Sequence, residues 1–232
     1  MGGLATGDPN EVAGQVQVVT MRQTEAVAQE SEAVTLEAQA LAAHRRRDYG
    51  RALALYKKLI ALGSYVACYE AANIILNGWG GVRPDPVQAV EWFEQASASS
   101  NPDLQGLVAA RLYDVYYGGV PGVPKDYKRA VRYVKKYEYV EYPTLVDAPP
   151  MYRLGVAYEF GYGMAKNVEK AMELYRRAAA TRHIPSKINL ARRRFLRGNF
   201  LAIVPWLAAA FHGQYLVLVA RSRKRPLDIR LM

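Results

Sequence analysis

The feature that most constrains this chain is that it repeats itself. Four stretches align: DYGRALALYKKLIALG (48–63), DPVQAVEWFEQASASS (85–100), DYKRAVRYVKKYEYVE (126–141) and NVEKAMELYRRAAATR (167–182). Each opens on Asp or Asn, reaches an alanine after three intervening residues, and sets a bulky residue three positions further on. The alanines Ala52, Ala89, Ala130 and Ala171 are separated by 37, 41 and 41 residues, and the bulky partners are Leu55, Trp92, Tyr133 and Leu174. A weaker fifth copy, NFLAIVPWLAAAFHG (199–213), carries Trp206 in that slot. A unit of this length cannot bury its apolar face alone. It has to stack on its neighbours, which makes the chain an array of similar elements.

Each unit reads as a helix, with apolar residues at i, i+3, i+4 and i+7, as in Ala89, Trp92, Phe93 and Ala96. Asp85, Asp126 and Asn167 stand where a side-chain oxygen would cap the first turn. A second helix precedes three of the units, in 67–82, 109–123 and 151–164, and each of these ends in glycines. Glycine tolerates the positive φ that stops a helix and turns the chain. The stretch GGVPGVPKDYKRAV (118–131) is therefore a corner between two antiparallel helices. It lacks the Gly-Lys-Ser/Thr of a phosphate-binding loop, and no strand precedes it. Gly118, Gly119 and Gly122 are expected to turn the chain, with Lys125, Lys128 and Arg129 on a solvated face. Trp92, Tyr133 and Leu174 are expected to be buried at equivalent sites.

The stretches ARLYDVYYGGVPGVPKDYKRAVRYVKK and YRLGVAYEFGYGMAKNVEKAMELYRRAA resemble Sel-one-like repeats, which are tetratricopeptide-related helical hairpins. Leu154, Gly155, Tyr158, Gly161, Gly163, Lys170 and Ala171 match the family pattern directly. Leu112, Tyr116, Gly122, Val123, Asp126 and Ala130 match it with one inserted residue, although Tyr113 stands where glycine is usual. The resemblance spans roughly residues 38–213 and implies an all-α solenoid of about five hairpins. The expected organisation is an N-terminal extension (1–24), the repeat array (25–213), then an apolar cap leading to a basic tail (214–232). The resemblance also implies a non-catalytic adaptor or scaffold within a multiprotein assembly, often a membrane-associated one. The first helix of each hairpin would then line a partner-binding groove, through Glu70, Asn73, Arg111, Asp114, Tyr117, Arg153 and Glu159.

No catalytic or metal-binding pattern appears. His44, His183 and His212 lack ligand spacing, and the single Cys68 excludes an internal disulfide framework. Carboxylates such as Glu91 and Glu94 read as solvated helix charge. No cofactor and no small-molecule substrate are expected. Composition favours a reducing intracellular compartment, and the first residues lack the pattern of a secretory signal. The net charge of +10 is concentrated late: residues 176–232 hold 13 Lys and Arg against Asp228 alone. Arg192, Arg193, Arg194 and Arg197, with Arg221, Arg223, Lys224 and Arg225, would make a basic surface. This supports an alternative, an RNA-associated subunit gripping phosphates, and the same surface would suit an anionic membrane. A further alternative is a scaffold anchored in a membrane by 198–220, which is free of charged residues.

Overall fold

The computed structural model describes residues 31–196 and Gly198. Among these the chain is all-α. Helix α1 covers 31–45, α2 Tyr49–Ala61, α3 Tyr65–Asn77, α4 Pro86–Ala96, α5 Pro102–Gly118, α6 Tyr127–Val134, α7 Ala148–Phe160, α8 Val168–Ala180 and α9 Ile184–Leu196. Short 3-10 turns follow α3 (Trp79–Gly81) and α6 (Lys135–Tyr139). Among the described residues there is no β-strand, only an isolated bridge between Val120 and Val123. The fifth copy at 199–213, the cap at 214–220 and the tail beyond lie outside the described residues.

The expected caps form. Asp85 accepts from the Gln88 amide at 3.0 Å, Asp126 from Arg129 at 2.9 Å and Asn167 from Lys170 at 3.0 Å. Each satisfies one of the amides that the first helical turn leaves without a partner. Asp48 does the same for α2. The corners also form. α5 stops at Gly119 (φ 71°) and α7 at Gly161 (φ 78°), and both glycine amides donate to a carbonyl four residues back. Gly118 remains inside α5, so Gly119 and Gly122 turn that corner. The cap residue then closes each loop: the amides of Asp126 and Asn167 donate to the carbonyls of Tyr116 and Tyr158, both at 2.8 Å.

The chain divides into two compact units, Met1–Pro84 and Asp85–Met232. In the first, α1, α2 and α3 converge on His44. Its Nδ1 lies 3.2 Å from the Tyr56 hydroxyl, and its ring meets Tyr49, Tyr56 and Trp79 edge-on at 5.3–6.1 Å. In the second, α5–α6 and α7–α8 are antiparallel hairpins, and α9 packs on α8. The residues filling its interior differ from expectation by one position. Leu174 is buried, but Trp92 and Tyr133 are only half-buried. The fully buried second-helix residues are the next ones along, Phe93, Val134 and Tyr175, each 0% exposed. Tyr133 is held outward because its hydroxyl bonds a carboxylate of the preceding hairpin.

Candidate functional site

Three glutamates, Glu94, Glu138 and Glu159, organise the second unit. Glu94, at the end of α4, was expected to be solvated. Its Oε1 instead accepts from the Tyr116 hydroxyl (2.9 Å), the Tyr133 hydroxyl (2.8 Å) and the Arg129 guanidinium (2.6 Å). Burial raises its pKa, but these hydrogen bonds and the Arg129 charge outweigh burial and hold it below the usual range. Arg129 is therefore half-exposed and paired with Glu94, unlike the exposed Lys125 and Lys128.

The arrangement recurs one hairpin on. Glu138, just past α6, accepts from Lys135, from the Tyr158 hydroxyl at 2.9 Å and from Lys170 at 2.8 Å. Burial opposes its ionisation, yet these donors bring its pKa down to about 2. Tyr116 and Tyr158 occupy the same motif position, as do Arg129 and Lys170. Each hairpin thus presents a tyrosine and a cation that grip a carboxylate on the one before it. Glu159, on α7 and 1% exposed, is the third: Tyr175, Arg192 and Arg193 donate to it at 2.5–2.9 Å. This tethers α9 to α7.

The predicted groove residues fall into two groups. Asn73 and Glu159 are buried. Arg111, Asp114, Tyr117 and Arg153 lie at least partly exposed on α5 and α7, and Glu70 does so on α3 in the first unit. Arg153 forks onto Asp114, with Nε–Oδ1 at 2.7 Å and NH2–Oδ2 at 2.5 Å, so the first helices of two successive hairpins are bridged on one face. Tyr117 stacks on the buried Tyr113 at 5.5 Å and meets Tyr127 and Tyr162 at 5.4 and 5.3 Å. Of the predicted basic surface, Arg192 and Arg193 are engaged by Glu159 and Arg194 is exposed. Arg197, Arg221, Arg223, Lys224 and Arg225 lie outside the described residues, as does His212. Among the described residues no cluster of His, Cys, Asp or Glu could hold a metal ion. None of their helices is long and apolar enough to cross a membrane.

The sequence profile of the Sel1 repeat matches residues 43–64, 66–101, 108–136 and 151–180, together half of the chain. The chain belongs to the Sel1 repeat family. Its architecture is accordingly a Sel1 helical-repeat solenoid, and the matched stretches follow the hairpins: 108–136 takes in most of α5 and all of α6, and 151–180 most of α7 and all of α8. A Sel1 repeat protein from Oxalobacter formigenes superposes with a TM-score of 0.58 at 20% identity, covering 78% of this chain and 73% of that one. That likeness speaks to the fold alone. A protective antigen present in uropathogenic Escherichia coli strains, displaying an SLR fold, aligns at 20% identity with a TM-score of 0.37, covering 64% of this chain and 37% of that one. Sel1 repeats generally mediate protein–protein interaction, which supports a scaffold or adaptor role for this chain.

Proposed function

We propose that the protein is a subunit of a larger assembly, holding a partner protein on the face formed by α5 and α7. The observation that carries this reading is the Asp114–Arg153 bridge, which joins the first helices of two hairpins into one surface. Around it stand Arg111, a half-exposed cation, and Tyr117, a half-exposed aromatic. Arginine and tyrosine are the residue types that most often anchor protein interfaces, because each offers a large contact area together with directional hydrogen bonds. Stacked hairpins also present an extended surface suited to a peptide or protein segment.

The test is affinity purification of the full chain beside the variant Arg111→Glu/Tyr117→Ala. Both positions are half-exposed, and because Tyr117→Ala also removes ring contacts with Tyr113, Tyr127 and Tyr162, the single variant Arg111→Glu is used in its place if the double variant unfolds by circular dichroism. The expected result is a partner in defined stoichiometry with the unaltered chain that is lost with the variant. The absence of any stoichiometric partner, or its full retention by the variant, would overturn this assignment.

A further inference from the structure

Register comparison of the second helices uncovers a reversal of charge. Lys128 of α6 corresponds to Val87 of α4 and Glu169 of α8, and Arg132 corresponds to Glu91 and Glu173. All six side chains are exposed. The outer row of α6 is thus cationic where α8 carries two carboxylates and α4 one, Glu91, beside the neutral Val87. Lys125, at the head of α6, extends the cationic row. Among the described residues none of Lys125, Lys128 and Arg132 is paired with a carboxylate. Arg129 of the same helix contrasts with this, because its guanidinium is paired with Glu94.

Helix stability accounts for Arg132, which lies in the last turn of α6, but not for Lys128. A cation in the first turn, as Lys128 is, opposes the helix dipole, whereas Glu169 in the same slot of α8 complements it.

We propose that the outer row of α6 docks an acidic helix of a partner protein, one whose carboxylates recur every four residues. This deepens the scaffold reading and rests on it. Lys128 and Arg132 stand one turn apart, about 6 Å along the axis, which is the spacing of carboxylates at i and i+4. The neighbouring rows decide the class of partner. Successive second helices adjoin: Arg129 and Tyr133 of α6 bond Glu94 of α4, and Lys170 of α8 bonds Glu138 just past α6. A membrane or a nucleic acid laid across this face would meet Glu91 on one side and Glu169 and Glu173 on the other. A single acidic rod lying along α6 touches the cations and leaves the carboxylates beside it. Like charges set against a wrong partner act as the selecting element.

The test uses the full chain and a fluorescent alanine-rich helical peptide with glutamate at every fourth position, followed by anisotropy. Binding is expected to weaken as salt rises, since exposed charge pairs are screened. Lys128→Glu/Arg132→Glu gives α6 the acidic row of α8, which folds, and should lower affinity at least about tenfold by turning attraction into repulsion. Should that variant unfold by circular dichroism, Lys128→Gln/Arg132→Gln is expected to weaken binding in the same direction. Equal peptide affinity in the unaltered and folded variant proteins overturns the proposal. It is also overturned if anionic phosphatidylserine vesicles or poly(U) bind more tightly than the peptide and are lost with the same variant, or if sedimentation shows that the row serves contact between copies of the chain. In any of these cases the scaffold reading stands while a stoichiometric partner is still captured.

Discussion

The hairpins α5–α6 and α7–α8 share a register and divide their bulk in opposite ways. In the second, Gly155 on α7 lies against the ring of Tyr175 on α8. A Cβ there would come within 2.6 Å of Tyr175 Cε1. In the first, the counterparts are Tyr113 and Val134, both buried. The large residue has moved from the second helix to the first, and the smaller member of each pair lies on the other helix. Interiors tolerate exchanges that conserve volume far better than changes to a single member. The departure of Tyr113 from the family pattern is therefore matched by Val134. The two tyrosines differ in chemistry, however. Tyr175 donates its buried hydroxyl to Glu159, whereas the Tyr113 hydroxyl is buried with no hydrogen-bond partner.

The sharpest way to separate the hairpins is through their corners. Gly163 has φ 69°, and a Cβ on it would lie 2.2 Å from the Tyr127 carbonyl oxygen. Backbone cannot yield as a side chain does, so Gly163→Ala should destabilise by about 3 kcal/mol or more, from overpacking and the left-handed backbone together. The first corner is more forgiving. At Gly122 the obstacle is Val87 Cγ2 at 2.7 Å, the end of a side chain that can rotate, so Gly122→Ala should cause the smaller loss. Equal losses in urea denaturation would show that the corners are equivalent.

The next contrast is acid sensitivity. His183, which follows α8 and bonds Ser186, has its pKa lowered to about 4 by burial and, secondarily, by the charge of Arg153. The unfolded chain takes up this proton near pH 6.5, so the contribution is complete above that value and is lost as pH falls towards 4. It amounts to roughly 3 kcal/mol. A stability curve measured from pH 7 to 4 should slope accordingly, with the His183 imidazole signals unchanged by NMR until near the lower limit. An imidazole titrating near 6.5 would remove this distinction. Glu138 acts in a lower window. Its pKa of about 2 lies below the ordinary value of about 4.3, so its stabilisation is present above that value and lost as pH falls towards 2. Glu138→Gln should flatten the acid limb there.

The smallest effects test the tyrosines themselves. Tyr175→Phe leaves a buried carboxylate short of a donor and should destabilise by about 1–3 kcal/mol. Tyr113→Phe removes a hydroxyl that has no partner and should be neutral or stabilising by less than about 1 kcal/mol. The same substitution would then cost stability in one hairpin and none in the other. Thermal melts of the two variants decide it, and a matching loss in both would show that the Tyr113 hydroxyl is satisfied in solution.

The parts of this molecule legible in the sequence are those set within a few residues. Asp126 caps α6, Gly119 ends α5 before it, and both are fixed by local backbone geometry. The all-α repeat fold follows from such signals multiplied along the chain. The clasps were not legible, because their partners lie far apart: Glu94 meets Tyr133 across 39 residues and Glu138 meets Lys170 across 32. Glu138 also sits in a 3-10 turn, off the register of the helices, so no periodicity points to it. The burial phase slipped from Phe93 to Trp92 because both are bulky and apolar, and a helical pattern does not rank adjacent positions of that kind. Of the groove positions expected from the family pattern, Arg111 and Tyr117 are half-exposed on α5, whereas Asn73 and Glu159 are buried. The sign change at Lys128 and Arg132 was written in the sequence, but it carries meaning only once the neighbouring helices are known to flank α6.

The close approach of Gly163 to Tyr127 bears on how such a protein grows and shrinks. A corner does not rest on its own hairpin alone. Gly163 sits on the head of α6, and Gly122 on the head of α4. The seat for each corner therefore belongs to the hairpin before it, and a hairpin excised at its sequence boundaries would leave one seat empty and one corner unsupported. The self-contained cassette runs instead from the start of one second helix to the end of the following corner. Insertions and deletions that respect this staggered boundary should be inherited far more readily than those that follow the repeat as it is written.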